Sequence, residues 1–246
     1  MSMLLNLHML LHPEILEERE FRGSRIAVID ETKCVDCSIC REKCRCNAIT
    51  EDLTVDPFSC EGCSVCVIVC PVNAVTLTER VSGYVYISKI RYGFTSHALL
   101  KPGEANSGKL VTVVRQNAKL IAEKEKSNLI IIDGPPGIAC PAITSVTGVD
   151  AGLVVTEPTL SGIHDLERAV QLLRHFNVRP FVCVNMYDIN EDNTENDVEV
   201  LFNPVVTEAT VNGKAIVEYS LECDVAKKVA AMWRRLCSEL SLEVTC

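Results

Sequence analysis

The stretches CVDCSICREKC (residues 34–44) and CEGCSVCVIVC (residues 60–70) decide how this chain folds. Each is one copy of the pattern C-x2-C-x2-C-x3-C, and the second copy begins 26 residues after the first. Together with Cys46 they contain nine of the fourteen cysteines of the chain. A repeat this dense indicates a module of two similar halves built around metal–sulfur sites.

The spacing of the cysteines fits the binding of 4Fe-4S clusters. Three thiolates at i, i+3 and i+6 let one tight loop surround three corners of a cubane, and the fourth cysteine of each run binds the cluster of the other run. The sequence therefore predicts two clusters. The first cysteine set is Cys34, Cys37, Cys40 and Cys70, and the second cysteine set is Cys60, Cys63, Cys66 and Cys44.

Two other uses of cysteine fit this pattern less well. Disulfide scaffolds are usually short secreted chains, whereas this chain has 246 residues and its first 11 residues lack the basic region of an export signal. Zinc binds paired C-x2-C units, but each run here continues to a third cysteine. Cys46 lies outside the pattern, either as a small buried apolar residue or as a spare ligand.

The composition narrows the class of protein. Hydrophobic residues make up 48% of the chain and charged residues 23%, as in ordinary globular proteins. No stretch approaches the roughly 18 apolar residues that a membrane span needs. The net charge of −9 argues against nucleic acid as a partner. We therefore expect a cytoplasmic protein with no membrane span.

The chain changes its pattern after residue 80. Residues 25–80 are predicted to form an α+β domain like a bacterial ferredoxin, with short strands at 48–50 and 53–55 between the two cysteine runs. Residues 81–246 alternate between short apolar runs and amphipathic helices, which indicates a parallel sheet covered on both faces. The run at 129–132 is one of its expected buried strands.

The segment IDGPPG (residues 132–137) is the most distinctive motif outside the cysteine runs. Parallel sheets bind ligands where a strand ends in such a loop, and an aspartate at this place holds magnesium in phosphate-binding ATPases. The same residues also fit a strand-end turn without a ligand. From the motif alone, both interpretations of Asp133 remain open.

Longer segments resemble the MinD superfamily of P-loop ATPases, specifically its members with an inserted ferredoxin domain. The resemblance is carried by KPGEANSGKLV (101–111), IIIDGPPGIACPAITSVTGVD (130–150) and GVDAGLVVTEPTLSGIHDLERAV (148–170), together with the double cysteine run. It implies an α/β fold with a parallel sheet of the MinD/ParA type that is incomplete at its N-terminus. Residues 1–24 would then be the start of the ATPase-like part, 25–80 the insert and 81–246 the remaining α/β domain.

The same resemblance implies roles for residues near a nucleotide. Asp133 corresponds to the magnesium-binding carboxylate of the family. Asn185 and Asp188 correspond to residues that contact the nucleotide base. Residues 156–158 would form a loop at a strand end near the nucleotide, and Ser161 would cap the helix that follows.

The chain departs from this family in its phosphate-binding parts. A glycine-rich loop with a lysine is absent, and Gly108-Lys109, a candidate for a displaced loop, lacks the strand and the glycines that should precede it. Met186 stands where the family has a lysine. Three explanations remain open. The given sequence begins after the true start, a second polypeptide supplies the segment, or the protein has lost it. We expect that this chain alone does not hydrolyse ATP efficiently, and binding of Mg-ATP is left open.

These observations predict an iron–sulfur protein that transfers single electrons through two 4Fe-4S clusters on a MinD-like scaffold. Two other functions remain open. One is an ATPase that couples hydrolysis to redox chemistry or to cluster transfer, and the other is an interaction subunit of an anaerobic redox complex. A redox partner protein is expected, and a homodimer or a complementing ATPase subunit would fit the missing loop.

Overall fold

The computed structural model describes residues 10–189, 199–200 and 203–242. Its strands and helices follow in chain order. They are β1 (Glu14–Phe21), β2 (Ser24–Ile29), α1 (Ile39–Glu42), α2 (Val65–Val69), β3 (Val75–Arg80), β4 (Gly83–Ile90), β5 (Gly93–Leu100), α3 (Gly108–Glu125), α4 (Cys140–Val146), β6 (Ala151–Thr156), α5 (Leu160–His175), β7 (Arg179–Asn185), a 3-10 helix (Tyr187–Ile189), β8 (Glu199–Val200), α6 (Pro204–Val211), α7 (Ile216–Tyr219) and α8 (Asp224–Glu239).

Packing divides the chain into two compact units. The cysteine unit comprises Glu14–Lys89 and Phe94–Ile130, and the parallel-sheet unit comprises Ile90–Gly93 and the described part of Ile131–Cys246, with residues 10–13. This division differs from boundaries at residues 24 and 80, because β1 pairs with β4 and so joins segments on both sides of the cysteine runs. The three-domain division stays a prediction, and its first nine residues lie outside the described part of the chain.

The cysteine runs lie between two paired strands. β2 and β3 are antiparallel, from Ser24 opposite Arg80 to Ile29 opposite Val75. The strands expected at 48–50 and 53–55 are reduced to a single bridge between Ile49 and Val55. Beyond this bridge the chain turns back at once, since the Thr50 N–H donates to the Thr54 carbonyl at 2.9 Å and the Leu53 N–H donates to the Thr50 carbonyl at 3.2 Å. The core of this module contains two cysteines of the repeat and consists of Ala27, Cys40, Ile49, Cys66 and Val75.

A second sheet of the cysteine unit has the order β1-β4-β5. Residues 84–90 alternate in polarity, which predicts a strand, and they form β4. This strand pairs antiparallel with β1 and does not belong to the parallel sheet. Helix α3 packs against this sheet through Leu110, which contacts the buried Phe21 and Val85. The helix begins at a cap in which the Ser107 hydroxyl accepts a hydrogen bond from the Leu110 N–H at 3.3 Å.

The parallel-sheet unit contains the expected parallel sheet, with the order β6-β7-β8. Helix α5 packs closely on β6, since a Cβ atom on Gly152 would lie 2.5 Å from a methyl group of Leu173. Helix α8 packs Val225 against Cys183 of β7, and both residues are 3% exposed. This arrangement is the α/β fold that the alternation of apolar runs and amphipathic helices predicts.

The run at 129–132 does not form the buried strand expected from its sequence. Residues 129–139 contain no helix or strand, and Ile131 is 75% exposed. A strand needs a neighbour for its N–H and C=O groups, and no described strand pairs with this run. β6 has a partner on one side only among the described strands, and its Val155 is 60% exposed. In the described part of the chain, no helix has the length and apolar character that crossing a membrane requires.

Candidate iron–sulfur sites

The two cysteine runs fold into loops of the same shape. Three pairs of residues, each separated by 26 positions, share the left-handed backbone conformation that such tight loops require. These pairs are Asp36 and Gly62 (φ 51° and 61°), Ser38 and Ser64 (56° and 71°), and Asn47 and Asn73 (50° and 53°). The sequence repeat is therefore also a repeat of backbone geometry.

Gly62 is the position in these loops where the absence of a side chain matters most. A Cβ atom there would lie 2.3 Å from the backbone oxygen of Arg25, well inside van der Waals contact. Its positive φ is also a conformation that glycine adopts at low cost. The loop that bears Cys60 and Cys63 can thus approach β2 only because residue 62 is glycine.

Backbone hydrogen bonds cross between the two halves. The Asp30 N–H, just before the first run, donates to the Ala74 carbonyl, just after the second run, at 2.8 Å. The Asp56 N–H donates to the Ala48 carbonyl at 2.7 Å in the reciprocal arrangement. Each bond brings the end of one run to the start of the other. The fourth cysteine of each run is thereby carried toward the opposite loop.

Asp30 and Asp56 also shape the turns that lead into the two runs. The Asp30 carboxylate accepts a hydrogen bond from the Thr32 N–H at 3.1 Å, and the Asp56 carboxylate accepts one from the Phe58 N–H at 3.0 Å. Each aspartate lies four residues before the first cysteine of its run. The cysteine pattern alone does not include these aspartates, although the 26-residue repeat does include them when it is extended four positions upstream.

The first cysteine set surrounds one cavity. Cys34, Cys37, Cys40 and Cys70 all line it, so the structure brings together the cysteines of the first loop and the fourth cysteine of the second. Apolar side chains complete most of the lining, among them Ile29, Val35, Leu53 and Val75. Four thiols around a small apolar cavity are the donor set and the surroundings that a 4Fe-4S cubane requires. These residues therefore fit the group that the spacing predicts.

The fourth cysteine of each run accepts a hydrogen bond from the backbone. The Ala48 N–H donates to the Cys44 sulfur at 3.4 Å, and the Ala74 N–H donates to the Cys70 sulfur at 3.2 Å. Burial acts to raise the pKa of Cys70, but the N–H groups of residues 72–75 outweigh it, and the pKa lies below its ordinary value. N–H groups directed at sulfur favour the thiolate, which is the form that binds iron.

The third cysteine of each run is buried. Burial raises the pKa of Cys66, and the Cys60 and Cys63 thiols add to the effect. Burial likewise raises the pKa of Cys40. Because metal ligands must be deprotonated, binding of a cluster would displace protons from these thiols.

Cys46 is partly buried, and its thiol interacts with the Glu61 side chain. The charges of Cys44 and Cys63, two members of the second cysteine set, act on it as well. Burial, then Glu61, raises the pKa of Cys46. The ninth cysteine of the repeat region is thus a partly buried neighbour of the second set.

The residues expected near a nucleotide lie in the parallel-sheet unit. Asp133 follows the irregular run described above, not a strand; its side chain is exposed, although the surrounding protein still raises its pKa by desolvation. Asn185 is the last residue of β7, and Asp188 lies in the 3-10 helix that follows. Residues 156–158 lead out of β6, as expected.

Two details of the ATPase-like interpretation change in the structure. Helix α5 is capped by Thr159, whose hydroxyl accepts a hydrogen bond from the Gly162 N–H at 3.0 Å, and Ser161 lies inside the first turn. Capping by Ser161 is therefore wrong. The Lys109 ammonium donates to the Arg22 carbonyl at 2.9 Å in the cysteine unit, so this lysine stabilises the packing of α3.

Comparison with known proteins gives a domain family, a sequence relative and a solved structure. The profile of the 4Fe-4S binding domain family matches residues 53–76, which include the second cysteine run. The septum site-determining protein MinD of Bacillus subtilis is 32% identical over 83 residues, which cover 33% of this chain and 31% of that protein. The solved structure of the MinD cell division protein of Aquifex aeolicus aligns with a TM-score of 0.48 at 20% identity, over 62% of this chain and 69% of that one.

The cysteine module and the α/β unit together define an iron–sulfur protein that binds a 4Fe-4S cluster on a MinD-like scaffold. An uncharacterized protein of Methanocaldococcus jannaschii, MJ0578, is 37% identical to this chain over 211 residues. The alignment covers 84% of this chain and 71% of that protein. The chain belongs to the same family as this archaeal protein.

Proposed function

We propose that this chain binds two 4Fe-4S clusters, one in each cysteine set, and transfers single electrons to or from a redox partner protein in the cytoplasm. The observation that carries the proposal is the convergence of Cys34, Cys37, Cys40 and Cys70 on one cavity. The pseudo-symmetry of the loops supports a second, equivalent site at Cys60, Cys63, Cys66 and Cys44.

The residues around each site contribute to cluster binding in different ways. When bound, a 4Fe-4S cluster accepts and releases one electron at a time. Cys40 and Cys66 are buried, and with the buried Ala48 and Ala74 they keep water from the interior of the module. The N–H groups of these two alanines stabilise the negative charge on the fourth cysteine of each run.

The other edge of each site faces solvent. Cys37 and Cys63 are exposed and occupy matching positions in the two loops. We assign the exchange of electrons with a partner to these edges, because electron transfer requires close approach and the remaining ligands lie deeper. The exposed Val35, which lines the first cavity and is 58% exposed, suits an apolar contact with such a partner.

Anaerobic purification and metal analysis test the proposal. We expect about eight iron and eight inorganic sulfide per chain, from two clusters of four. Voltammetry of the purified protein should then show reversible one-electron reduction of both clusters. Stoichiometric zinc without inorganic sulfide would contradict the proposal, and so would iron and sulfide for a single cluster.

An ATP-dependent redox or cluster-transfer reaction is the second candidate function. It is favoured by the sequence likeness to MinD over 83 residues. Magnesium-dependent binding of ATP that disappears in Asp133→Ala, while iron content stays unchanged, would support it. If neither the wild type nor the variant binds ATP by calorimetry, this second function is rejected for the chain on its own.

A further inference from the structure

Arg80, the last residue of β3, is the centre of a partly buried polar network. Its guanidinium donates to the Ser24 hydroxyl at 2.9 Å and to the Pro57 carbonyl, and it forms a 2.6 Å ion pair with Glu104. The side chains of Arg80 and Glu104 are 23% and 9% exposed, against 67% and 51% for the surface pair Arg19–Glu17. Burial of this kind makes the loss of one partner costly.

The Pro57 carbonyl belongs to the turn that leads into the second cysteine run. This turn is closed by a 3.1 Å hydrogen bond from the Cys60 N–H to the Asp56 carbonyl. Pro57 lies between these residues, so the hydrogen bond from the Arg80 guanidinium to the Pro57 carbonyl stabilises the turn. Cys60 is the first residue of the second cysteine set, and its position follows from this turn.

The matching turn before the first run is held differently. It is closed by the corresponding bond from the Cys34 N–H to the Asp30 carbonyl at 3.0 Å. Its ion pair is local, between Lys33 and Asp30 at 2.8 Å, and it is largely exposed, at 63% and 36%. The two halves therefore share the turn but differ in what stabilises it.

Glu104 is itself fixed, which keeps the guanidinium in place. The Glu104 N–H donates to the Lys101 carbonyl at 3.1 Å, and the Lys101 N–H donates to the Ser82 carbonyl at 2.9 Å. Ser82 is 2% exposed, and its hydroxyl accepts from the N–H groups of Gly23 and Ser24. Glu104 is thus linked through Lys101 and Ser82 to the backbone of Gly23 and Ser24, where β2 begins.

We propose that Arg80, anchored by Glu104, is a positioning residue for the second cysteine set and leaves the first set unaffected. The inference rests on the proposed binding of one cluster by each set. Arg80 contacts no cysteine of the repeat in this network; it acts through the Pro57 carbonyl and the turn that carries Cys60.

A peptide-resolved labelling experiment on the cluster-loaded protein tests this inference. Wild type, Arg80→Met, Arg80→Lys, Glu104→Gln and the surface control Arg19→Met are purified anaerobically. Each is exposed to an iron chelator in the presence of iodoacetamide, and mass spectrometry gives the labelling rate of each cysteine. We expect Arg80→Met to label Cys60 and Cys63 roughly tenfold faster, as for the loss of a charge-assisted hydrogen bond, with Cys34 and Cys37 unchanged.

The variants separate positioning from general destabilisation. Arg80→Lys keeps one charged donor and should restore part of the protection, Glu104→Gln should give an intermediate rate, and Arg19→Met should match wild type. Equal acceleration in both sets, or no change in either, would overturn the positioning role. If the purified wild-type protein contains no iron, the proposed function is contradicted as well. If both clusters are present and the variants label at the wild-type rates, only this inference is contradicted.

Discussion

The backbone N–H of Asp30 donates a 2.8 Å hydrogen bond to the carbonyl oxygen of Ala74. This contact joins the residue that opens the first cysteine run to the segment that closes the second. Its counterpart, from Asp56 to Ala48, makes the exchange reciprocal. If each cysteine set binds a cluster as proposed, neither half of the module completes its own site, and each depends on the other for a fourth cysteine.

This crossing predicts which cysteines lose protection when a fourth ligand is removed. In Cys70→Ser we expect about half of the iron to be lost and the first loop, Cys34 and Cys37, to become open to alkylation, because these residues share a cavity with Cys70. In Cys44→Ser we expect exposure of Cys60 instead. Iron analysis with peptide mass spectrometry provides the measurement. Exposure of the loop that carries the mutated residue would contradict the crossed assignment.

Gly62→Ala should destabilise the module more than a glycine replacement at an open position. The substitution combines a strained φ, which costs roughly 1–3 kcal/mol, with a clash against the Arg25 backbone oxygen. Gly137→Ala is the matched control, because Gly137 also has a positive φ but a Cβ atom there would meet no other atom within 4 Å. We expect the thermal midpoint of Gly62→Ala to lie about 5 °C or more below that of Gly137→Ala. Equal midpoints would show that the loop relaxes freely.

The stability of the parallel-sheet unit should fall at alkaline pH because of Cys183. Burial raises the pKa of this thiol, which is 3% exposed. Its contribution to stability is therefore fully present below the unfolded pKa of about 8.5 and is lost as the pH rises through the higher folded pKa, by up to about 1.4 kcal/mol per pH unit. Thermal midpoints between pH 7.5 and 10 should decline less in Cys183→Ala than in wild type.

Cys140→Ala provides the control for this pH dependence, since Cys140 is exposed. Its midpoints should decline with pH as steeply as those of the wild type. If Cys183→Ala shows the same alkaline decline as Cys140→Ala, the buried thiol is not its source.

Lys109→Met should affect packing and leave nucleotide binding unchanged. The Lys109 ammonium is bonded to the Arg22 carbonyl, so its loss removes an exposed charge-assisted hydrogen bond worth about 1 kcal/mol or less. We expect a thermal midpoint about 2 °C lower than in Lys119→Met, which changes another exposed lysine of the same helix. Calorimetry with Mg-ATP should give the same result for all three proteins. A selective loss of ATP affinity in Lys109→Met would return this lysine to a phosphate-binding role.

Sequence patterns predicted the elements whose spacing is local. Leu110 and Val113 have the spacing of one helical face and lie in α3, and the alternation of residues 84–90 predicts the strand that forms β4. The pairing of β4 was not predictable, because an alternating strand has the same pattern in a parallel and an antiparallel sheet. The prediction of a buried strand around Ile131 was wrong for a related reason. Apolar residues form a buried strand only if a neighbouring strand pairs with them.

In the candidate site, too, one part was predictable from the sequence and another part was not. The cysteine spacing by itself determined the kind of cofactor, because three thiolates within seven residues fit a cubane without any knowledge of the fold. The tertiary structure decided what surrounds it: the Asp30–Ala74 bond that crosses the halves, and the Arg80 guanidinium that holds the turn before Cys60. These contacts join residues that are 23 or more positions apart. Spacing along a chain determines which atoms one loop can place together, whereas contacts between distant segments exist only once the chain has folded and excluded water from between them.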